Sequence, residues 1–96
     1  MVVYIAGKMM GLPDKGREKF NRAEERLIKK GYVVLNPARL PDGMPLERYM
    51  PICLAMLEAS DAIYLLDNWE DSFGAKLENQ YAVYQDKQTL FEKAGD

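Results

Sequence analysis

The sequence of 96 residues has no histidine and a single cysteine, Cys53. Without histidine there are no Ser-His or Cys-His nucleophile pairs, so any chemistry must rest on carboxylates, tyrosines or lysines. One cysteine excludes an intramolecular disulfide, and the two shortages together remove the usual zinc-ligand sets. No stretch approaches the roughly 18 consecutive apolar residues of a membrane span. Neither sign of charge dominates: 13 basic and 15 acidic residues leave a net charge of −2, with no basic run. An extended nucleic-acid partner is therefore not expected. Repeats, linkers and low-complexity segments are also lacking, as are a P-loop and a dinucleotide-binding GxGxxG.

What is present is the composition of a soluble globule, 48% hydrophobic and 29% charged. That length supports one core, and a single domain over residues 1–96 is expected. The apolar start has no basic leader and no small-residue cleavage site. It reads as a first strand and not a signal peptide, and a cytoplasmic location is expected.

The chain is organised around the stretch from Asp61 to Glu78. Ala62 to Leu66 is an unbroken apolar run with β-branched and aromatic members, the pattern of a buried parallel strand. A polar loop from Asp67 and Asn68 carries the chain to Ser72, where the spacing becomes helical. Phe73, Leu77, Tyr81 and Tyr84 share one face; Gly74, Glu78 and Gln85 line an adjacent one. Ser72 is placed to cap this helix, whose start faces the carboxyl end of the strand, where open α/β sheets bind ligands. Gly74 leaves room for a ligand near the backbone, and the helix dipole is expected to keep Glu78 ionised. On these residues alone a second reading stands beside the first: Ser72 only caps, and Glu78 only decorates a solvated face.

The remaining elements fall in order. Val2 to Ala6 is a strand followed by the loop Gly7-Lys8-Met9-Met10-Gly11, which reads either as a plain turn or as a place where a ligand meets the backbone. Asp14 is expected to cap a helix reaching about Lys30, with Phe20, Ala23, Leu27 and Ile28 buried and Gly31 as its stop. Its many charges, Arg17 among them, read as a solvated face. Tyr32 to Leu35 is a second strand closed by Asn36-Pro37. A second helix follows Pro45, with a kink or break expected at Pro51. Gln88 to Phe91 is a last short strand, and Glu92 to Asp96 a frayed tail. The order βαβαβαβ predicts a three-layer α/β sandwich of Rossmann or flavodoxin type, a small parallel sheet of four strands with helices on both faces. Strand one is expected beside strand three, so that Gly7 and Gly11 face the stretch from Asp67 to Glu78 across one cleft.

Tyr4-Ile5-Ala6-Gly7, Asn36-Pro37-Ala38, Asp61-Ala62-Ile63 and the run from Trp69 to Glu78 together resemble the small nucleoside 2-deoxyribosyltransferase-like proteins of bacteria and phages. The resemblance covers residues 1 to about 88. Its Ser72-x-Gly74-x-x-x-Glu78 element is shared with the nucleoside deoxyribosyltransferases and the deoxynucleoside-monophosphate N-glycosidases. The resemblance implies that Glu78 is the nucleophile, forming a deoxyribosyl ester, and that Tyr4 orients it. It implies that Gly7, Lys8, Met10 and Gly11 surround the sugar and its 5′ end, with Lys8 a phosphate partner, and that Ser72 and Gly74 line the site. Serine at position 72 leans towards the monophosphate glycosidases. No metal or organic cofactor is implied; the ligand is a deoxynucleoside or deoxynucleotide.

The sequence departs from that pattern at Cys53, where relatives usually carry an aspartate that contacts the sugar or assists the leaving base. A thiol protonates a leaving base poorly near neutral pH. Either Asp67 or Asp71 takes over, or the protein binds nucleotides without turning them over, or Cys53 is simply a buried structural thiol. A site of this size is often completed by a neighbouring subunit, and a homodimer through the second and third helices is expected.

Overall fold

Four apolar segments, each too short for a helix, pair side by side in the computed structural model, which describes residues 1–93. They are β1 (Val2–Ala6), β2 (Val33–Leu35), β3 (Ala62–Leu65) and β4 (Gln88–Phe91), all parallel and in the order β2-β1-β3-β4. β1 and β3 are adjacent, as expected, in the register Tyr4 to Ile63 and Ile5 to Tyr64. Both are central strands and lie under helices on both faces, which is why their sequences are continuously apolar and do not alternate. β2 and β4 are the edges and are only partly covered.

The pleat divides the core in two. Val3, Ile5, Ala62 and Tyr64 face one side and receive Phe20, Ala23 and Leu27 of α1 (Arg17–Lys29). Tyr4, Ala6, Ile63 and Leu65 face the other and receive Cys53 and Leu57 of α2 (Leu46–Glu58) with Ala75 and Ala82 of α3 (Phe73–Tyr84). The result is the expected three-layer sandwich. Two alanines on the inner face of α3 let that helix approach the sheet closely, and its bulky residues point away: Phe73 is 85% and Tyr84 84% exposed.

Three local expectations are corrected. Asp14 does not cap α1, because Asp14, Lys15 and Gly16 all adopt left-handed backbone conformations, with φ of 49°, 56° and 70°. The Asp14 carboxylate turns to the Arg17 guanidinium instead, at 2.8 Å, and α1 begins at Arg17 with no side-chain cap. Left-handed geometry costs roughly 1–2 kcal/mol at each non-glycine residue, so this turn carries strain. Ile28, expected in the buried stripe, is exposed. Pro51 does not break α2, which runs through it from Leu46 to Glu58. Pro51 and Glu47 are both exposed, so solvent can satisfy the one carbonyl that the proline leaves unbonded. Of the tail expected over Glu92 to Asp96, residues 94–96 lie outside the described residues. No described helix is long and apolar enough to cross a membrane.

Candidate active site

The crossovers from β1 and β3 leave in opposite directions along the sheet, and a cleft of about 750 Å³ opens at their carboxyl ends. The loop from Gly7 to Gly11 forms one wall, the start of α3 another, and Tyr49, Met50 and Cys53 of α2 a third. At its base Tyr4, from the middle of β1, and Glu78, from the second turn of α3, meet across 74 positions of sequence. The Tyr4 hydroxyl donates a hydrogen bond to Glu78 Oε2 at 2.8 Å. Glu78 is 7% exposed and Tyr4 1%.

Burial governs the charge of both groups. Desolvation pushes the Glu78 carboxyl up to about 7, and the hydrogen bond from Tyr4 pulls it back only in part. The expectation that the helix dipole would hold Glu78 firmly ionised is thus corrected: it lies beyond the first turn, where the dipole fades, and burial dominates. Burial, with the nearby Glu78 charge second, raises the Tyr4 phenol well above its ordinary value, so it remains a donor. Burial also raises the Cys53 thiol, which adjoins the Tyr4 hydroxyl. A thiol so raised stays protonated at neutral pH and is no nucleophile there.

The other residues singled out from the sequence differ in what holds them. Gly7 is required by packing, since a Cβ there would lie 2.6 Å from Leu66 Cδ1. A Cβ at Gly74 would meet nothing closer than Met50 Cε at 3.6 Å, so the fold tolerates a side chain there and only the cleft loses space. Gly11 makes a left-handed turn, φ 81°. Lys8 donates its backbone N–H to Asn68 Oδ1 at 3.0 Å, tying the two loops together, and its ammonium makes no ion pair among the described residues. Met10 projects into the mouth. Ser72 caps α3, its Oγ accepting from the Ala75 N–H at 3.1 Å. Tyr4, Gly7, Lys8, Met10, Gly11, Ser72, Gly74 and Glu78 thus line one cleft.

Asp67 does not join them. Its carboxylate pairs with Lys19 at 2.9 Å and its backbone N–H donates to Glu92, on the α1 side of the sheet end. Asp71, the other acid considered for Cys53's role, does line the cleft. Sequence reasoning missed Lys15, Arg17, Asp42 and Tyr49, which also line it. Arg17 read as part of a solvated helix face and Lys15 was not singled out; the only hint was Gly16 between them, a signal for a left-handed turn. Among the described residues no cluster of His, Cys, Asp or Glu could hold a metal ion.

Comparison with known proteins places this cleft in context. The model of a family described as Domain of unknown function (DUF4406) matches residues 1–91. A solved structure of a 2-desoxiribosyltransferase from Leishmania mexicana is similar in fold, with a TM-score of 0.75 and 26% sequence identity. The match covers 94% of this chain and 62% of that one. No curated protein sequence matches the chain.

Proposed function

The chain belongs to the DUF4406 family, and from its cleft we propose that it is a nucleoside 2-deoxyribosyltransferase or a deoxynucleoside 5′-monophosphate N-glycosidase. Residues 1–96 would then form one deoxyribosyltransferase-like domain with no cofactor. The observation that carries the reading is the buried Glu78 carboxyl held by the Tyr4 hydroxyl at the base of the cleft. The likeness to a 2-desoxiribosyltransferase supports it.

The geometry supports the two-step chemistry that the resemblance implies. Tyr4 occupies Oε2 of Glu78, which leaves Oε1 to attack the anomeric carbon. The bond from that carbon to the base nitrogen breaks, its electron pair stays with the base, and the base takes a proton. The deoxyribosyl ester so formed is resolved by water in hydrolysis or by a second base in transfer, with net retention. Attack requires ionised Glu78, and the positive charge developing on the sugar favours that ion in a site with little water. Lys8, Met10, Gly11, Ser72 and Gly74 would surround the ligand, and Asp71, which also lines the cleft, would take over from Cys53 the protonation of the leaving base.

Cys53 favours a second reading, a nucleotide-binding or sensing protein with weak or no turnover. A neutral thiol beside Tyr4 supplies neither a negative charge for the sugar nor an efficient proton donor. Glu78→Ala separates the two: it abolishes base release in the first case and leaves ligand affinity nearly intact in the second. The exposed stripe of Phe73, Leu77 and Tyr84 on α3 supports self-association, with α2 and α3 at the interface of a homodimer.

A further inference from the structure

The mouth of the cleft holds two cations that the chemistry above does not use. Lys15 and Arg17 both line it, and both give their charge to one atom, Oδ1 of Asp42. The Lys15 ammonium lies 2.7 Å from that oxygen, and Arg17 donates to it from one terminal nitrogen. The partners are not equally fixed. Arg17 is also held by two bonds that do not involve Asp42: its Nε donates to the Ala38 carbonyl at 3.3 Å and its other terminal nitrogen to Asp14 at 2.8 Å. The side chain of Arg17 is 24% exposed; that of Asp42 is 60% exposed. Asp42 sits between Pro41 and a left-handed Gly43, φ 96°, in the segment leading to α2. Arg17 is anchored independently of Asp42, whereas Asp42 and the half-exposed Lys15 are the loose members.

One oxygen accepting from an ammonium and a guanidinium is an arrangement that a phosphate oxygen can reproduce, with more charge and more acceptor sites than a carboxylate. Exposed ion pairs of this kind contribute little and exchange readily. The left-handed run from Asp14 to Gly16 is what brings residues 15 and 17 to the same point. Lys8, which lines the same cleft and makes no ion pair among the described residues, adds a third positive charge.

We propose that Lys15 and Arg17 form a subsite for a phosphate monoester at the mouth of the cleft, and that the Asp42 carboxylate fills this subsite until a phosphorylated ligand displaces it. Asp42 is then a specificity residue that weakens phosphate binding and limits it to ligands whose other parts the cleft also holds. That the rest of the ligand is a 2′-deoxynucleoside rests on the function proposed above; the anion subsite does not.

The test is calorimetric titration of the wild type, Asp42→Asn and Arg17→Gln with inorganic phosphate, a 2′-deoxynucleoside and its 5′-monophosphate. Asp42→Asn is expected to tighten phosphate and the monophosphate about fivefold or more while leaving the deoxynucleoside unchanged. Arg17→Gln is expected to remove the preference for the monophosphate. Lys15→Met, at a more exposed position, gives the same reading if the Arg17 variant is unstable. The subsite is refuted if Asp42→Asn leaves phosphate binding unchanged, or shifts deoxynucleoside and monophosphate equally. If Asp42→Asn tightens inorganic phosphate but no deoxynucleoside or deoxynucleotide binds any variant, the subsite stands and the deoxyribosyl reading falls.

Discussion

At the scale of single residues, Glu78 links catalysis and stability through one proton. With its carboxyl near 7 and ionisation needed for attack, kcat/KM should rise with pH through about 7 and then level. A glutamate at its ordinary value of 4.5 would give a flat profile over that range. Tyr4→Phe removes the hydrogen bond that favours the ionised form, so the rising limb should move to higher pH. A pH–rate profile of both proteins checks the pair of expectations. The same proton shapes folding. Between about 4.5 and 7 the folded chain holds a proton that the unfolded chain has released, so stability falls as pH rises across this window. The cost is complete above it and is on the order of 3 kcal/mol. Glu78→Gln keeps the shape without the charge; its Tm should exceed the wild type by several degrees at pH 8, with the gap closing by pH 4. A gap independent of pH would mean that Glu78 is not raised.

At the scale of elements, two glycines that look alike in sequence separate in the structure. Gly7→Ala must push Leu66 aside and should cost about 1–3 kcal/mol by thermal or denaturant unfolding. Gly74→Ala meets no such obstacle and should unfold like the wild type, yet weaken ligand binding by narrowing the cleft beside Glu78. Ser72→Ala should cost about 1 kcal/mol through the lost α3 cap. The strands, the cap at Ser72 and the start of α3 were legible because each depends on neighbours in sequence. The turn at Asp14 was not. An aspartate before a charged helical run reads as a cap, whereas here its carboxylate bonds Arg17, which also reaches Ala38 and Asp42, far from it in sequence. Pro51 misled in the same way, because its cost depends on whether the freed carbonyl is exposed, and sequence alone does not say so.

At the scale of the whole molecule, the sheet order decides which distant residues meet. An unbroken apolar run marked β3 as a buried strand, analogy with doubly wound sheets set β1 beside it, and the resemblance paired Tyr4 with Glu78; the structure has that adjacency and that hydrogen bond. That much of the site could be read in advance. The cationic rim could not, because the residues 15, 17 and 42 converge only through loop geometry, and Asp67 faced away for the same reason. The outward stripe on α3 belongs to this scale as well. Light scattering at micromolar concentration should give a dimer, and Tyr84→Asp should shift it to monomer. A wild type that is strictly monomeric would contradict the proposed interface.

The central claim concerns a covalent bond to Glu78, and intact-protein mass spectrometry tests it most directly. The protein is incubated with a panel of 2′-deoxynucleosides and their 5′-monophosphates, and free base is measured in the same samples. The account predicts a deoxyribosyl or phosphodeoxyribosyl adduct with release of base, both absent in Glu78→Ala. Base release that persists in Glu78→Ala, or ligand binding without adduct or base from any member of the panel, would contradict it.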